Sequence, residues 1–450
     1  MALRDLVIVT VVLLLALWTL RRPWIGILNW TWLSIMNPHR YAWGFAYSAP
    51  VAAIAASATL LALLFTKEKR SPFQGPPTIW LFVFAIWVTV SWLLGVDPEG
   101  DHPQWDKVMK IYLMTFVALA LIRTKIQIIA FVTVTIGSLA FLAAKGGVFT
   151  ILTAGSYRVW GPPESFIADN NHFALATIIT LPLLHFLQLQ LSRPWQRHAM
   201  SAIMLLCVAS ALGSHSRGAF LAITAMAFVF WLRSTKKTPI AVLIVISLVM
   251  ILPMMPEHWW ERMATLKTYE QDASAMGRIN AWLVAIEVAK HNFFGAGMNY
   301  QYQHFFSAFG VYDTTVLAAH SVYFQILGNH GFIGLLLYLT LWVSTYRAAG
   351  QLRKQSNGIP ALMWAGDLGA MVQVSLIGFA VGGAFLSMPY FDLPYNLMVA
   401  VVLALKLIES GEWRTEINER PLLEELGLAR ARSPRKPRRS GARKPRAGVL

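Results

Sequence analysis

Long apolar runs separated by short polar breaks dominate the chain. They fall near 6–20, 23–36, 49–65, 78–95, 108–122, 126–144, 171–191, 199–213, 217–233, 239–252, 320–346, 361–385 and 394–408. A helix needs about 20 apolar residues to cross a hydrocarbon core roughly 30 Å thick, and this chain supplies such runs repeatedly. Strand-like alternation is missing, which excludes a lipid-facing barrel; helices instead satisfy their own backbone hydrogen bonds. The pattern predicts an all-α polytopic membrane protein of twelve or thirteen transmembrane helices, the first two runs being short enough to leave the count open. No internal repeat of the inverted kind is visible. The run at 6–20 follows Arg4 like a signal-peptide core, but "RRPW" comes next instead of a small-residue cleavage site, so it reads as a retained span.

The polar breaks are not equivalent. "TKEKR", "RTK", "RSTKKT" and "RAAGQLRK" are basic and alternate with breaks that are not, which by the positive-inside rule assigns them to the cytoplasm. The opposite, outer face then receives 96–107, 145–170, the turn "GSHSRG" at 213–218 and the longest break, 253–319. A loop of that length is usually functional. Within it, "GRINAWLVAIEVAKH" places Ile279, Trp282, Leu283 and Ile286 at helical spacing, predicting a helix that lies on the membrane surface or on the other spans. The chain thus divides into N-terminal transmembrane helices (1–252), a large outer loop (253–319), C-terminal transmembrane helices (320–410) and a basic tail (411–450).

Composition supports this division. The 450 residues are 56% hydrophobic and only 13% charged, outside the range of ordinary soluble domains. A net charge of +16 would suggest nucleic acid in a soluble protein. Here the cations sit in short loops and in the unpatterned tail "ARSPRKPRRSGARKPRAGVL", so topology and anionic lipid headgroups explain them and no nucleic-acid partner is expected. Cys207, the single cysteine, lies inside an apolar run, which excludes disulfides and thiolate metal sites and argues against a catalytic thiol.

Polar residues at span mouths are costly and therefore candidates for function. On the outer face they collect in four places: Arg158, Asp169, Asn170, Asn171 and His172 before one span; His215 and Arg217 before another; Arg278 in the large loop; His320 with Tyr323 at the start of a late span. Guanidinium groups with few acids nearby suit a phosphate or pyrophosphate, which they grip bidentately without losing charge. His320 differs, because an imidazole exchanges a proton near neutral pH. Structural readings stand beside these: Arg217 as a headgroup anchor, Arg278 as the polar end of an amphipathic helix, Asn170 and Asn171 as helix caps, His320 as a structural residue. No metal is expected, since outer acids are sparse and His291, His304 and His330 lack ligand spacing.

The segments "SRGAFLA" (216–222), "GRINAWLVAIEVAKHNFFGAGMNYQ" (277–301) and "AHSVYFQILGNHGFIGLLLYL" (319–339) resemble the O-antigen ligase and polymerase superfamily, with its late histidine at a loop–helix junction. More narrowly, "LRRPWIGILNWTWLSIMNPHRYAWGFAYS" (20–48) resembles the O-glycosylation ligases associated with exosortase A systems. The resemblance covers most of the chain except the tail. It implies a fold related to GT-C membrane glycosyltransferases in the bacterial inner membrane. It also implies transfer of a glycan from an undecaprenyl-pyrophosphate carrier to a hydroxyl acceptor at the periplasmic face, without metal or cofactor. On it, Arg217 and Arg278, with Arg158 as a third cation, would hold the pyrophosphate. His320 would activate or orient the acceptor, supported by Asn171, His172, His215 and Tyr323. Many relatives have Asn after the histidine where this chain has Ser321. A repeat-unit polymerase on the same carrier differs only in acceptor. A transporter or flippase of lipid-linked sugars is disfavoured because the charges gather at one face. The peptidase of exosortase systems would need a nucleophilic cysteine, and Cys207 sits among "LLCVAS".

Overall fold

The computed structural model describes residues 3–233, 238 and 273–415. The expected span at 239–252, the first part of the large loop and the basic tail beyond 415 lie outside the described residues. Those described are helical, with no strand among them. The helices are α1 (Leu3–Thr19), α2 (Pro23–Met36), α3 (Val51–Phe65), α4 (Pro76–Leu93), α5 (Pro98–Leu121), α6 (Lys125–Leu152), α7 (Asn170–Gln190), α8 (Pro194–Gly213), α9 (Arg217–Arg233), α10 (Ala273–His291), α11 (Gln303–Phe309), α12 (Val322–Ser356), α13 (Met363–Gly383) and α14 (Asp392–Glu409). Every apolar run within the described residues therefore forms a helix.

Among the described residues five helical stretches are long and apolar enough to cross a bilayer: Pro76–Leu93, Lys125–Leu152, Asn170–Gln190, Val322–Ser356 and Pro360–Gly383. By contrast α2, with 14 residues, spans about 21 Å at 1.5 Å per residue, short of a full crossing. The chain is a multi-pass membrane protein, and its exposed Leu, Phe and Val side chains on α1, α3, α4 and α12 suit contact with lipid. At the centre lies α14, apolar all round and buried continuously from Leu397 to Leu405. Where α6 meets α8 the backbones nearly touch: a Cβ on Gly147 would fall 2.0 Å from the Leu206 carbonyl oxygen, so only glycine fits.

The bundle has two distinct ends. At one, the α1–α2 turn, the α3–α4 loop, the α5–α6 turn and the segment after α14 converge, with Arg70 paired to Glu412 and Arg123 to Glu68 at 3.8 Å. At the other, Asp5 accepts from the Gly44 and Ala46 amides, Tyr47 donates to Glu164 at 2.7 Å, and Val159 N–H reaches the Gly213 carbonyl at 3.1 Å. The basic loops within the described residues thus share one end, and the candidate polar residues share the other.

One feature was invisible in the hydropathy pattern. The long helix α12 breaks at Gly331 (φ 68°, ψ −174°), inside a stretch read from the sequence as one span. A strap following α10 fills the break: Ala296 N–H donates to Gly328 O (3.0 Å), Gly297 N–H to Asn329 O (2.9 Å), and Trp87 Nε1–H to His330 O (2.9 Å). The freed carbonyls are thereby satisfied by protein instead of lipid. Asp101 anchors the strap from α5, accepting from the amides of Met298 (2.7 Å) and Asn299 (3.2 Å) and from Tyr302 Oη (3.3 Å). The His330 ring is buried between Ser91 Oγ (2.9 Å) and Tyr390 Oη (2.6 Å).

The predicted surface helix at 279–286 is α10, and it packs on α12. Its innermost stripe is Ala281, Val284, Ala285 and Val288, while Ile279, Trp282, Leu283 and Ile286 are half-buried. Small side chains let the two helices approach closely, so the bulky apolar stripe does not face inward.

Candidate functional site

His320 directly precedes Ser321, which occupies the N-cap position of α12. Its backbone is left-handed (φ 45°), a conformation that costs most L-residues about 1–2 kcal/mol. The loop is held there from α10. Trp282 Nε1–H donates to the carbonyl of buried Ala319 at 2.7 Å, and its ring stacks on Phe324 with centroids 4.9 Å apart at 10°. Asn280 clamps the same loop further back: its Oδ1 accepts from the Val311 and Tyr312 amides (2.8 and 3.1 Å), and its Nδ2 donates to Asp313 O (2.6 Å). Arg278 lies one helical turn before Trp282 and so on the same side of α10. The contacts that fix His320 also bring Arg278 to it.

A third element completes the group. Asp169 caps α7, its Oδ1 accepting from the Asn171 amide (2.8 Å), the Asn171 side chain (3.0 Å) and the His172 amide (3.4 Å). Burial works against its charge. The hydrogen bonds from Asn171, with help from His172, outweigh that and hold the carboxyl below the usual carboxylate range, so Asp169 is an anion. His320 feels all of these groups. Burial, then the charge of Arg278 and the proximity of His172, push its pKa down to about 4 against the opposing pull of Asp169. The ring is therefore neutral near pH 7. Its Nδ1 is buried without a hydrogen-bond partner, as are His172 Nε2 and Ser321 Oγ.

The remaining candidates separate into distinct roles. His215 is buried in a left-handed turn (φ 57°), its Nε2 donating to the Gly155 carbonyl at 2.9 Å. Asn170 donates to Ser214 O at 2.6 Å, tying the start of α7 to the same turn. Both hold loops together. Tyr323 donates to Ala380 O at 2.7 Å, joining α12 to α13. Arg158 lies on the exposed loop before α7 and makes no hydrogen bond or ion pair among the described residues. Arg217 opens α9, after Ser216 whose Oγ accepts from Ala219 N–H (3.2 Å); the Arg217 side chain lies outside the described residues. Cys207 is buried, its Sγ 4.0 Å from Ala140 O. Among the described residues no three His, Cys, Asp or Glu side chains gather as metal ligands. Sequence reasoning missed Asn280 and Trp282 as positioning residues, since helical spacing presented Trp282 as part of an apolar stripe. It also missed Asp101 and His330, whose partners lie roughly 200 residues away in the chain.

Residues 202–339, the stretch holding Arg217, Arg278 and His320, match the model of the O-antigen ligase family. The chain carries an O-antigen ligase domain. Residues 3–192 match a family of unknown function, DUF5935. No curated protein matches the chain. The candidate site straddles both matched regions: Asp169 and His172 come from the first, and His320 and Arg278 from the O-antigen ligase domain. That domain supports a ligase- or polymerase-like membrane enzyme of glycosyltransferase type, acting on a lipid-linked glycan.

Proposed function

We propose that the protein transfers a glycan from an undecaprenyl-pyrophosphate carrier to a hydroxyl acceptor at the periplasmic face of the bacterial inner membrane. The observation that carries this reading is a neutral imidazole at the mouth of α12, its Nδ1 buried without a hydrogen-bond partner and within electrostatic reach of Arg278 and of Asp169 and His172 at the start of α7. A carrier keeps its pyrophosphate at headgroup depth with its polyprenyl chain in the bilayer, so a site serving it belongs at a helix mouth. In the transfer, the acceptor oxygen bonds to the anomeric carbon as the bond from that carbon to the pyrophosphate oxygen breaks. The electron pair leaves on the pyrophosphate and the hydroxyl proton passes to His320. Arg278, joined by Arg217 and Arg158 on the same face, neutralises the leaving charge; Asp169 and His172 set the ring's environment. Positioned guanidinium groups supply this electrostatic work, and we propose that no metal takes part. The resemblance of residues 20–48 to exosortase-associated O-glycosylation ligases, about twelve spans and a GT-C-related fold belong to the same reading. So does the division into a membrane bundle, a periplasmic loop and a cytoplasmic tail. A repeat-unit polymerase differs only in acceptor.

The test uses purified protein, a synthetic polyprenyl-pyrophosphate glycan and a panel of hydroxyl acceptors, with and without EDTA. Release of polyprenyl pyrophosphate together with a glycosylated acceptor, unaffected by EDTA, is expected. Translocation of the intact donor across vesicles without bond cleavage would replace the enzyme by a transporter, and loss of transfer on chelation would remove the metal-free mechanism.

A further inference from the structure

At the end of the bundle opposite His320, a cavity of about 620 Å³ opens between the α1–α2 turn, the α3–α4 loop and the segment after α14. Five cations line it: Arg21, Arg22, Lys67, Arg70 and Arg123. Only two acids share the wall, and each is already engaged, Glu412 with Arg70 and Glu68 with Arg123. Arg21, Arg22 and Lys67 have no acidic partner among the described residues. The cavity therefore carries an uncompensated positive charge. Beside it, the last turns of α1 and α3 expose Leu17, Leu20, Leu61, Leu64 and Phe65 on the bundle's outer surface.

A charged recess bordered by a lipid-facing apolar strip matches a molecule with an anionic head and two hydrocarbon chains. We propose that this cavity binds the phosphate headgroup of an anionic phospholipid from the leaflet facing the basic loops, its acyl chains lying along α1 and α3. The bidentate forks of Arg21 and Arg22 grip the phosphate oxygens, and Lys67 adds a third charge. The bound lipid ties the α1–α2 turn to the α3–α4 loop, which the Arg70–Glu412 pair already joins to the segment after α14. The site is independent of the glycan-transfer reading, and its test does not require activity.

Full-length protein in nonionic detergent is titrated with phosphatidylglycerol, with phosphatidylcholine of the same chains, and with inorganic phosphate. Retained lipid is read by native mass spectrometry and stabilisation by the thermal midpoint. Phosphatidylglycerol should be retained and raise the midpoint, while phosphatidylcholine should do neither. The R21Q/R22Q double variant should bind phosphatidylglycerol about 30-fold more weakly, from the usual worth of two basic side chains at an anionic surface. K354Q, in the last turn of α12, should stay within about threefold of the original protein, while the charge-preserving R21K/R22K pair, which keeps the charge but loses the bidentate forks, should bind more weakly than the original protein and more tightly than R21Q/R22Q. Equal retention of both lipids, or undiminished binding by R21Q/R22Q, would overturn the proposal. Stabilisation by inorganic phosphate equal to that by the lipid would overturn it in favour of a small-anion site.

Discussion

Replacing Trp282 by Phe asks whether α10 sets the catalytic geometry or merely packs. The substitution keeps an aromatic ring to stack on Phe324 but deletes the Nε1–H that donates to Ala319 O at 2.7 Å. Ala319 is fully buried, so its carbonyl loses a partner that water does not replace, at a cost of about 1–3 kcal/mol. The adjacent His320 is held at φ 45°, a conformation worth about 1–2 kcal/mol of strain. Tether and strain are of the same size, so without the tether the loop relaxes and the productive conformer becomes a minority. A net shift of about 1.4 kcal/mol corresponds to tenfold, and kcat should fall by about that factor. KM for the donor should change by less than about twofold, because Arg278 is untouched. Steady-state transfer from a synthetic polyprenyl-pyrophosphate glycan, run beside a thermal melt, measures both quantities. An unchanged kcat with a lowered midpoint would show that Trp282 supports the fold alone, and the positioning argument would fail.

Three further outcomes follow from the same geometry. His320 is neutral down to about pH 4, so the acid limb of kcat/KM should lie well below pH 6. Arg278→Gln removes a positive neighbour and so raises the imidazole pKa; the acid limb should move upward while donor binding weakens, and a limb that does not move would place Arg278 away from the ring. Asp101→Ala strips the strap of three hydrogen bonds to a buried carboxylate and should destabilise the protein by about 2–4 kcal/mol, seen as a lowered midpoint; a change under about 0.5 kcal/mol would mean the strap is held without it.

The sequence made the helices legible because hydropathy is a local signal and bilayer thickness sets its length scale. The break at Gly331 was not legible: it lies within a long run that reads as one span, and the groups that satisfy the freed carbonyls arrive from Trp87 and from the strap at 296–297. His320 and Arg278 stood out because polar groups at helix mouths are costly, and the structure brings Arg278 within electrostatic reach of the ring. The same argument singled out His215 and Tyr323, whose polar atoms are occupied by the carbonyls of Gly155 and Ala380. Nothing in a linear sequence distinguishes a histidine that serves a neighbouring loop from one whose ring nitrogen is left for a substrate. Asn280 and Trp282 escaped notice for the converse reason, since their function lies in backbone atoms more than 30 residues ahead.

The central claim is that His320 acts on the bond-making step and not on the donor's binding. Single-turnover transfer by His320→Ala, measured on donor already bound at saturation, tests it most directly. The account predicts a donor Kd within about threefold of the original protein and a transfer rate lower by about 10²–10⁴-fold. An equal transfer rate, or a loss explained entirely by weaker donor binding, would contradict it.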